Sequence, residues 1–204
     1  AVAELGYRPS RVARTLRARR ANIIGLIVSD IQNPFFTAIA RGVEDIAYER
    51  QYGVFLCNSD EDPQKEALYV ELMLAEQVAG VIVSPTVEGA PYYANLLDAG
   101  IPVTAIDRRL GGQAVDTVRI DNVAAAYALV RGLIEQGHRR IGAIVGSALA
   151  TTGWERRLGY EDALREHGIV QDEGLIHAGA PKQRFGYLAA RTLLTQAEPP
   201  TAIF

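Results

Sequence analysis

The run Ile23-Ile24-Gly25-Leu26-Ile27-Val28 constrains this chain more than any other stretch. It is continuously apolar and rich in β-branched side chains, so it reads as a strand buried on both faces. Such strands belong to parallel sheets covered by helices. Its flanks narrow the choice further. Before it stand Arg8, Arg11, Arg14, Arg17, Arg19 and Arg20; after it comes Ser29-Asp30-Ile31-Gln32-Asn33-Pro34-Phe35-Phe36. A charged helix hands over to a buried strand, and that strand delivers a polar and aromatic loop.

From Asn22 onward, strand and helix patterns alternate. Strands are expected at Ile23–Val28, Gly53–Cys57, Val81–Ser84, Val103–Ile106, Val115–Ile120, Arg140–Val145, Leu175–His177 and Ala202–Phe204. Helices are expected from Pro34 to about Gln51, from Asp62/Pro63 through Glu76, and over Ala90–Ala99, Asp121–Gln136, Trp154–His167 and Phe185–Thr195. In the first helix Phe36, Ile39, Val43, Ile46 and Ala47 are expected on one buried face. This alternation implies an α/β fold with parallel sheets and helices on both faces. The strand spacing breaks near Ile120–Val123, so two lobes are expected, 21–121 and 122–204. Ahead of them, residues 1–6 read as the last turn of a helix closed by Gly6. Residues 7–20 read as a short helix of about three turns, which needs a docked partner to hold in water.

Net charge over the 204 residues is −3, but its distribution is uneven. Residues 1–20 carry six Arg against Glu4, a net +5, which leaves −8 on the other 184 residues. A short basic segment on an acidic body suits nucleic-acid contact; a solvated helix face or a basic arm reads equally well from composition. The single Cys57 cannot form an internal disulfide, and His138, His167 and His177 lack metal-ligand spacing. His138 reads as a turn residue. No membrane-spanning run and no signal peptide appear, and a reducing cytoplasm is the expected compartment. Dinucleotide, phosphate-loop and nucleophile-elbow motifs are missing, so no enzyme chemistry, cofactor or metal is expected.

Open α/β sheets bind ligands at the C-terminal ends of their strands. Those ends are Ser29–Phe36, Asn58–Asp62, Ser84-Pro85-Thr86, Asp107-Arg108-Arg109 and Gly146–Arg156. Phe35 and Phe36 offer flat apolar surfaces to a sugar face or a purine ring. Core packing is the other reading for Phe36. Asp107 and Arg156 supply an acceptor and a forked donor, and a salt bridge to Arg108 or Arg109 is the other reading for Asp107.

Several motifs resemble the lactose/galactose-repressor (LacI/GalR) family of bacterial transcription regulators. They are Tyr7-Arg8-Pro9-Ser10 with Ala13-Arg14 and Leu16; Ile24–Val28 with Asn33-Pro34-Phe35-Phe36; Ile101-Pro102-Val103 with Ile106-Asp107-Arg108; Ile120-Asp121-Asn122; Gly137-His138-Arg139; Arg156-x-x-Gly159-Tyr160; and Pro200–Phe204. The resemblance implies a periplasmic-binding-protein-like type I core of two parallel-sheet lobes, the second incomplete, behind a hinge helix and the end of a helix-turn-helix. The chain would be a fragment of a regulator. The resemblance further implies a homodimer that binds operator DNA through Tyr7, Arg8, Ser10, Ala13, Arg14, Leu16 and Arg17, with Leu16 wedged between base pairs in the minor groove. Phe35, Phe36, Asp107, Arg108, Thr152 and Arg156 match ligand-contacting positions for a small effector, a sugar first and a nucleobase second, in a cleft between the lobes.

Two other functions compete: a solute-binding protein of a sugar transporter, and a small α/β enzyme. The Arg-rich Pro-Ser segment speaks against the first, and the missing phosphate loop against the second. A direct check of the regulator expectation is Leu16→Ala in a full-length version. It is expected to weaken specific operator binding by about tenfold or more in gel-shift titrations, with the thermal unfolding of the core unchanged.

Overall fold

A computed structural model describes residues 21–204. The expected helix-turn-helix remnant at 1–6 and hinge helix at 7–20, and with them every proposed DNA contact from Tyr7 to Arg17, lie outside the described residues. The described chain divides into two compact units. The first takes in 21–85, 89–106 and 111–116; the second is Thr86–Glu88, Asp107–Leu110 and Thr117–Phe204. The sequence reading drew one boundary after Asp121, whereas the chain changes unit several times. Asp107 and Arg108 consequently cluster with the second unit and not with the first lobe. Local bonding accounts for this, since the Asp107 N–H donates to the Val118 carbonyl at 2.9 Å and the Arg109 N–H to Thr151 Oγ1 at 3.3 Å.

The five-stranded sheet holds the first unit's β1 (Ile23–Val28), β2 (Gly53–Asn58), β3 (Gly80–Val83) and β4 (Val103–Ile106), with β5 (Asp116–Val118), of which Asp116 counts with the first unit and 117–118 with the second. Their order is β2-β1-β3-β4-β5, with β1 parallel to β2 and β3, and β3 parallel to β4. The strand order reverses at β1, the usual position for a ligand crevice in such sheets. Helix α1 (Pro34–Glu49) is started by Asn33, whose side chain accepts the Phe35 N–H, and Pro34 sits in the first turn. Helix α2 (Pro63–Ala75) repeats the device with Asp62 and Pro63. Both proline positions lack an N–H where a helix has no internal partner to offer it. Helix α3 is short, Tyr93–Asp98. It begins three residues after the expected Ala90, because the preceding residues form a turn in which the Ala94 N–H reaches the Pro91 carbonyl.

Leu26 and Val28 share one face of β1 and pack with Phe36 and Ile106, with Ile39, Ala40 and Val43 of α1 adding to the cluster. Gly25, on the alternate face, lies against Met73 of α2. The buried stripe of α1 therefore runs Phe36, Ile39, Val43, Ala47. Ile46 is 53% exposed, contrary to expectation; one residue before Ala47, it is rotated about 100° off the stripe.

In the second unit β6 (Ile141–Gly146) lies between β7 (Ile176–Gly179) and β8 (Ala202–Ile203), all parallel. Helices α4 (Asn122–Glu135), α5 (Thr151–Glu166) and α6 (Gln183–Leu194) accompany them. The core gathers Val130, Ile134, Ile141, Ala143, Val145, Tyr160, Ala163 and Leu164. Tyr160 is fully buried. Its hydroxyl donates to the Ile141 carbonyl at 2.8 Å, and burial, assisted by nearby carboxylates, pushes the phenol up to about 12. His138 is the turn residue expected: its Nδ1 lies 2.9 Å from Thr201 Oγ1, just after Gly137 in the left-handed region.

Helices α4 and α5 approach closely at Gly159. A Cβ there would overlap the Val123 carbonyl oxygen and lie 2.9 Å from the Tyr127 nitrogen, both backbone atoms that cannot step aside. Gly159→Ala is therefore expected to lower stability by about 1–3 kcal/mol, read as a lower urea midpoint. Gly132→Ala, on the same α4 with open space around it, is expected to leave the midpoint unchanged or raise it.

Candidate functional site

At the strand-order reversal of the first unit, hydroxyls close the strand ends. Ser29 and Ser84 follow β1 and β3. The Ser29 hydroxyl lies 3.0 Å from that of Ser84 and 3.2 Å from its carbonyl, and both residues are fully buried. Ser59, after β2, donates its hydroxyl to the Val28 carbonyl at 3.2 Å. These small side chains satisfy the backbone where the strands fray and let the 29–36 loop fold over them. Asn58 helps by accepting the Ile31 N–H at 2.9 Å. The loop carries Phe35, which is 38% exposed, edge-on to Phe36 with ring centroids 5.1 Å apart. Phe36 is 3% exposed and belongs to the core cluster, as the packing reading of the sequence allowed. Phe35 carries the accessible ring.

In the second unit a buried carboxylate collects the polar groups. Glu155 stands in the second turn of α5, with its side chain 5% exposed. One oxygen accepts from Arg119 Nη1 at 2.7 Å and lies 3.5 Å from Arg109 Nη2; the other accepts from the Asn122 side-chain amide at 3.1 Å. The Asn122 amide oxygen then accepts from Arg156 Nε at 3.1 Å. A carboxylate removed from water survives only when its lone pairs are met by donors and its charge by a cation. Glu155 has both, so burial fixes the positions of three side chains around it. Arg156 is exposed, and no ion pair joins it to a carboxylate among the described residues. Held by Nε alone, it presents its two terminal amines as a fork.

The other expected residues sit close in the chain to this cluster. Asp107 follows β4 with φ of 63°, a left-handed conformation that Asp tolerates better than most residues. Its carboxylate lies 3.7 Å from Arg108 Nε, both side chains nearly buried, which is the salt bridge held open as its other reading. Arg109 turns to Glu155 instead. Thr152 is buried in the first turn of α5, where a loop was expected. That helix starts at Thr151, three residues early. Its Thr-Thr-Gly start has poor helix propensity and Ala150 offers no side-chain cap. Tertiary packing overrides this: a Cβ on Gly153 would strike the Ser147 carbonyl and come within 2.7 Å of the Gly146 backbone, so the helix begins hard against the end of β6.

Sequence reasoning missed Glu155, Thr151, Glu88 and Arg119. One signal was available for Glu155. It lies on the face of α5 that also holds Thr152, Gly159 and Ala163, all buried, and an acid on an otherwise small and apolar stripe demands partners. Among the described residues no cluster of His, Cys, Asp or Glu could hold a metal ion, and no helix is long and apolar enough to cross a membrane. A surface groove at the far end of α5, between Glu161 and Gln171, includes none of the expected residues. Asn122→Ala withdraws a donor from Glu155 and the acceptor from Arg156. It is expected to cost about 1–3 kcal/mol of stability, seen as a lower urea midpoint with an unchanged slope.

Residues 21–204 match the family described as periplasmic binding proteins and sugar binding domain of the LacI family. A probable HTH-type transcriptional regulator, EndR of Paenibacillus polymyxa, is 37% identical over 206 residues. That match covers 100% of this chain and 60% of the relative, so the chain spans three fifths of its length. The solved structure of a putative ribose operon repressor from Burkholderia thailandensis superposes with a TM-score of 0.81 at 38% identity, covering 90% of this chain and 68% of that one. The Cra dual regulator of Pseudomonas putida, solved with fructose 1-phosphate, gives 0.84 at 26% identity over 90% of this chain and 68% of its own.

Proposed function

This chain belongs to the LacI family, and we propose that it is the effector-sensing core of a DNA-binding transcription repressor that responds to a small sugar. The observation that carries the reading is the Arg156 fork, oriented through Asn122 by a buried carboxylate and left without a carboxylate partner of its own. A planar double donor fixed in this way suits vicinal hydroxyls. Phe35 adds an exposed ring of the kind that packs on a sugar face. Asp107, Arg108 and Thr152 complete the proposed ligand contacts, with Phe36 supporting Phe35 from the core. Tyr7, Arg8, Ser10, Ala13, Arg14, Leu16 and Arg17 are the proposed contacts to operator DNA.

The regulator would act as a homodimer in the cytoplasm, without catalytic activity. Exposed Tyr48, Phe55, Leu56, Leu68 and Leu72 on α1, β2 and α2 support a subunit contact, since monomers seldom leave so many large apolar side chains bare. Relatives named as regulators, such as the probable regulator EndR and the putative ribose operon repressor, favour this reading over a transporter's solute-binding protein.

Arg156→Ala in the full-length protein tests it. Sugar-dependent release from operator DNA is expected to need about 10–100-fold more ligand, while operator affinity without ligand stays at the wild-type value. Wild-type sugar response in the mutant would refute the assignment.

A further inference from the structure

We propose that the effector is an uncharged polyol and not a phosphorylated sugar, and that Glu88 is the residue that sets this preference. The inference rests on the sugar-responsive reading above and narrows it. The start of a long helix ordinarily attracts phosphate, because its first N–H groups lack internal partners and its dipole is positive there. In this chain the position next to that start already holds an anion. Thr151 is the first residue of the sixteen-residue α5, and its hydroxyl donates to Glu88 Oε2 at 3.2 Å while accepting the Arg109 N–H at 3.3 Å. Ala150, at the cap position, contributes no side-chain oxygen, and the Glu88 carboxylate meets the first residue of the helix.

The nearby cations are committed in the same way. Glu155 takes Arg119 at 2.7 Å and Arg109 at 3.5 Å, and Asp107 stands beside Arg108 at 3.7 Å. Of the described arginines around Glu155, Arg156 is the one that is exposed without an acid, and its Nε is already used on Asn122. One guanidinium fork is enough for two hydroxyls. A phosphomonoester carries about −1.5 to −2 charges at pH 7 and would meet this single cation on a helix whose start is held by the Glu88 carboxylate. Glu88 is exposed, so water and salt screen the repulsion, and an effect of about tenfold on affinity is the scale to expect. The family itself leaves the question open, since Cra was solved with a sugar phosphate.

The test uses the full-length protein, wild type and Glu88→Gln, in calorimetric titrations with matched probes: D-ribose against D-ribose 5-phosphate, D-fructose against fructose 1-phosphate, and D-glucose against glucose 6-phosphate. Glutamine keeps an oxygen for the Thr151 hydroxyl and removes the charge. In the wild type the neutral member of the responsive pair is expected to bind at least about tenfold more tightly than its ester, and Glu88→Gln to shrink that ratio by about tenfold. A wild type that binds an ester as tightly as the parent sugar overturns the inference and leaves the sugar reading standing. A neutral preference that Glu88→Gln does not change overturns the role of Glu88. Absence of binding to all six probes overturns the sugar reading, and this inference falls with it.

Discussion

The buried carboxylate of Glu155 is the interaction on which the second unit's polar architecture depends. Desolvating a carboxylate costs several kcal/mol unless donors surround it, and this one is met from three directions. Arg119 comes from just beyond β5, Arg109 from the loop after β4, and Asn122 from the first turn of α4. All three lie 33 to 46 residues before Glu155 in sequence, and the one anion ties them to α5. Arg156, the next residue along α5, inherits its orientation through Asn122. The orientation of Arg156 is thus a by-product of satisfying a buried charge.

Backbone packing brings that charge into position. Gly159 lets α5 lie against α4 backbone to backbone, and Gly153 lets the same helix start against the end of β6. Gly159, one turn on from Glu155, lies on the same side of α5, so the acid is pressed toward Asn122 on the neighbouring helix. In the first unit the arrangement is simpler. Hydroxyls of Ser29, Ser59 and Ser84 close the strand ends, and the Asn33-Pro34 start of α1 places Phe35 in the open and Phe36 in the core.

Much of this was readable from the sequence where one residue type has one local consequence. The apolar run at Ile23–Val28 became the strand at the order reversal. Asn33-Pro34 and Asp62-Pro63 each started a helix at the residue expected, and Asp121 capped α4 through the Ala124 N–H. The family resemblance singled out Arg156, in the second turn of α5, as a proposed ligand contact, and did not single out the Glu155 carboxylate behind it. What stayed hidden depended on contacts between distant segments. Nothing local announces that Thr151-Thr152-Gly153 is helical, since only the proximity of Ser147 and Gly146 makes it so. Nothing local assigns Asp107 to the unit that holds α5, because the bonds responsible end on Val118 and Thr151. Ile46 shows the limit of periodicity, which places a stripe to within about one residue.

Glu155 and its donors form one coupled network and not a set of independent surface contacts. A double-mutant cycle measures this most directly. Urea unfolding of the full-length protein, of Glu155→Gln, of Arg119→Gln and of the double mutant gives the coupling between the two partners at 2.7 Å. The network account predicts a coupling of about 1.5 kcal/mol or more. A coupling within about 0.5 kcal/mol of zero, the value typical of exposed ion pairs, would contradict it.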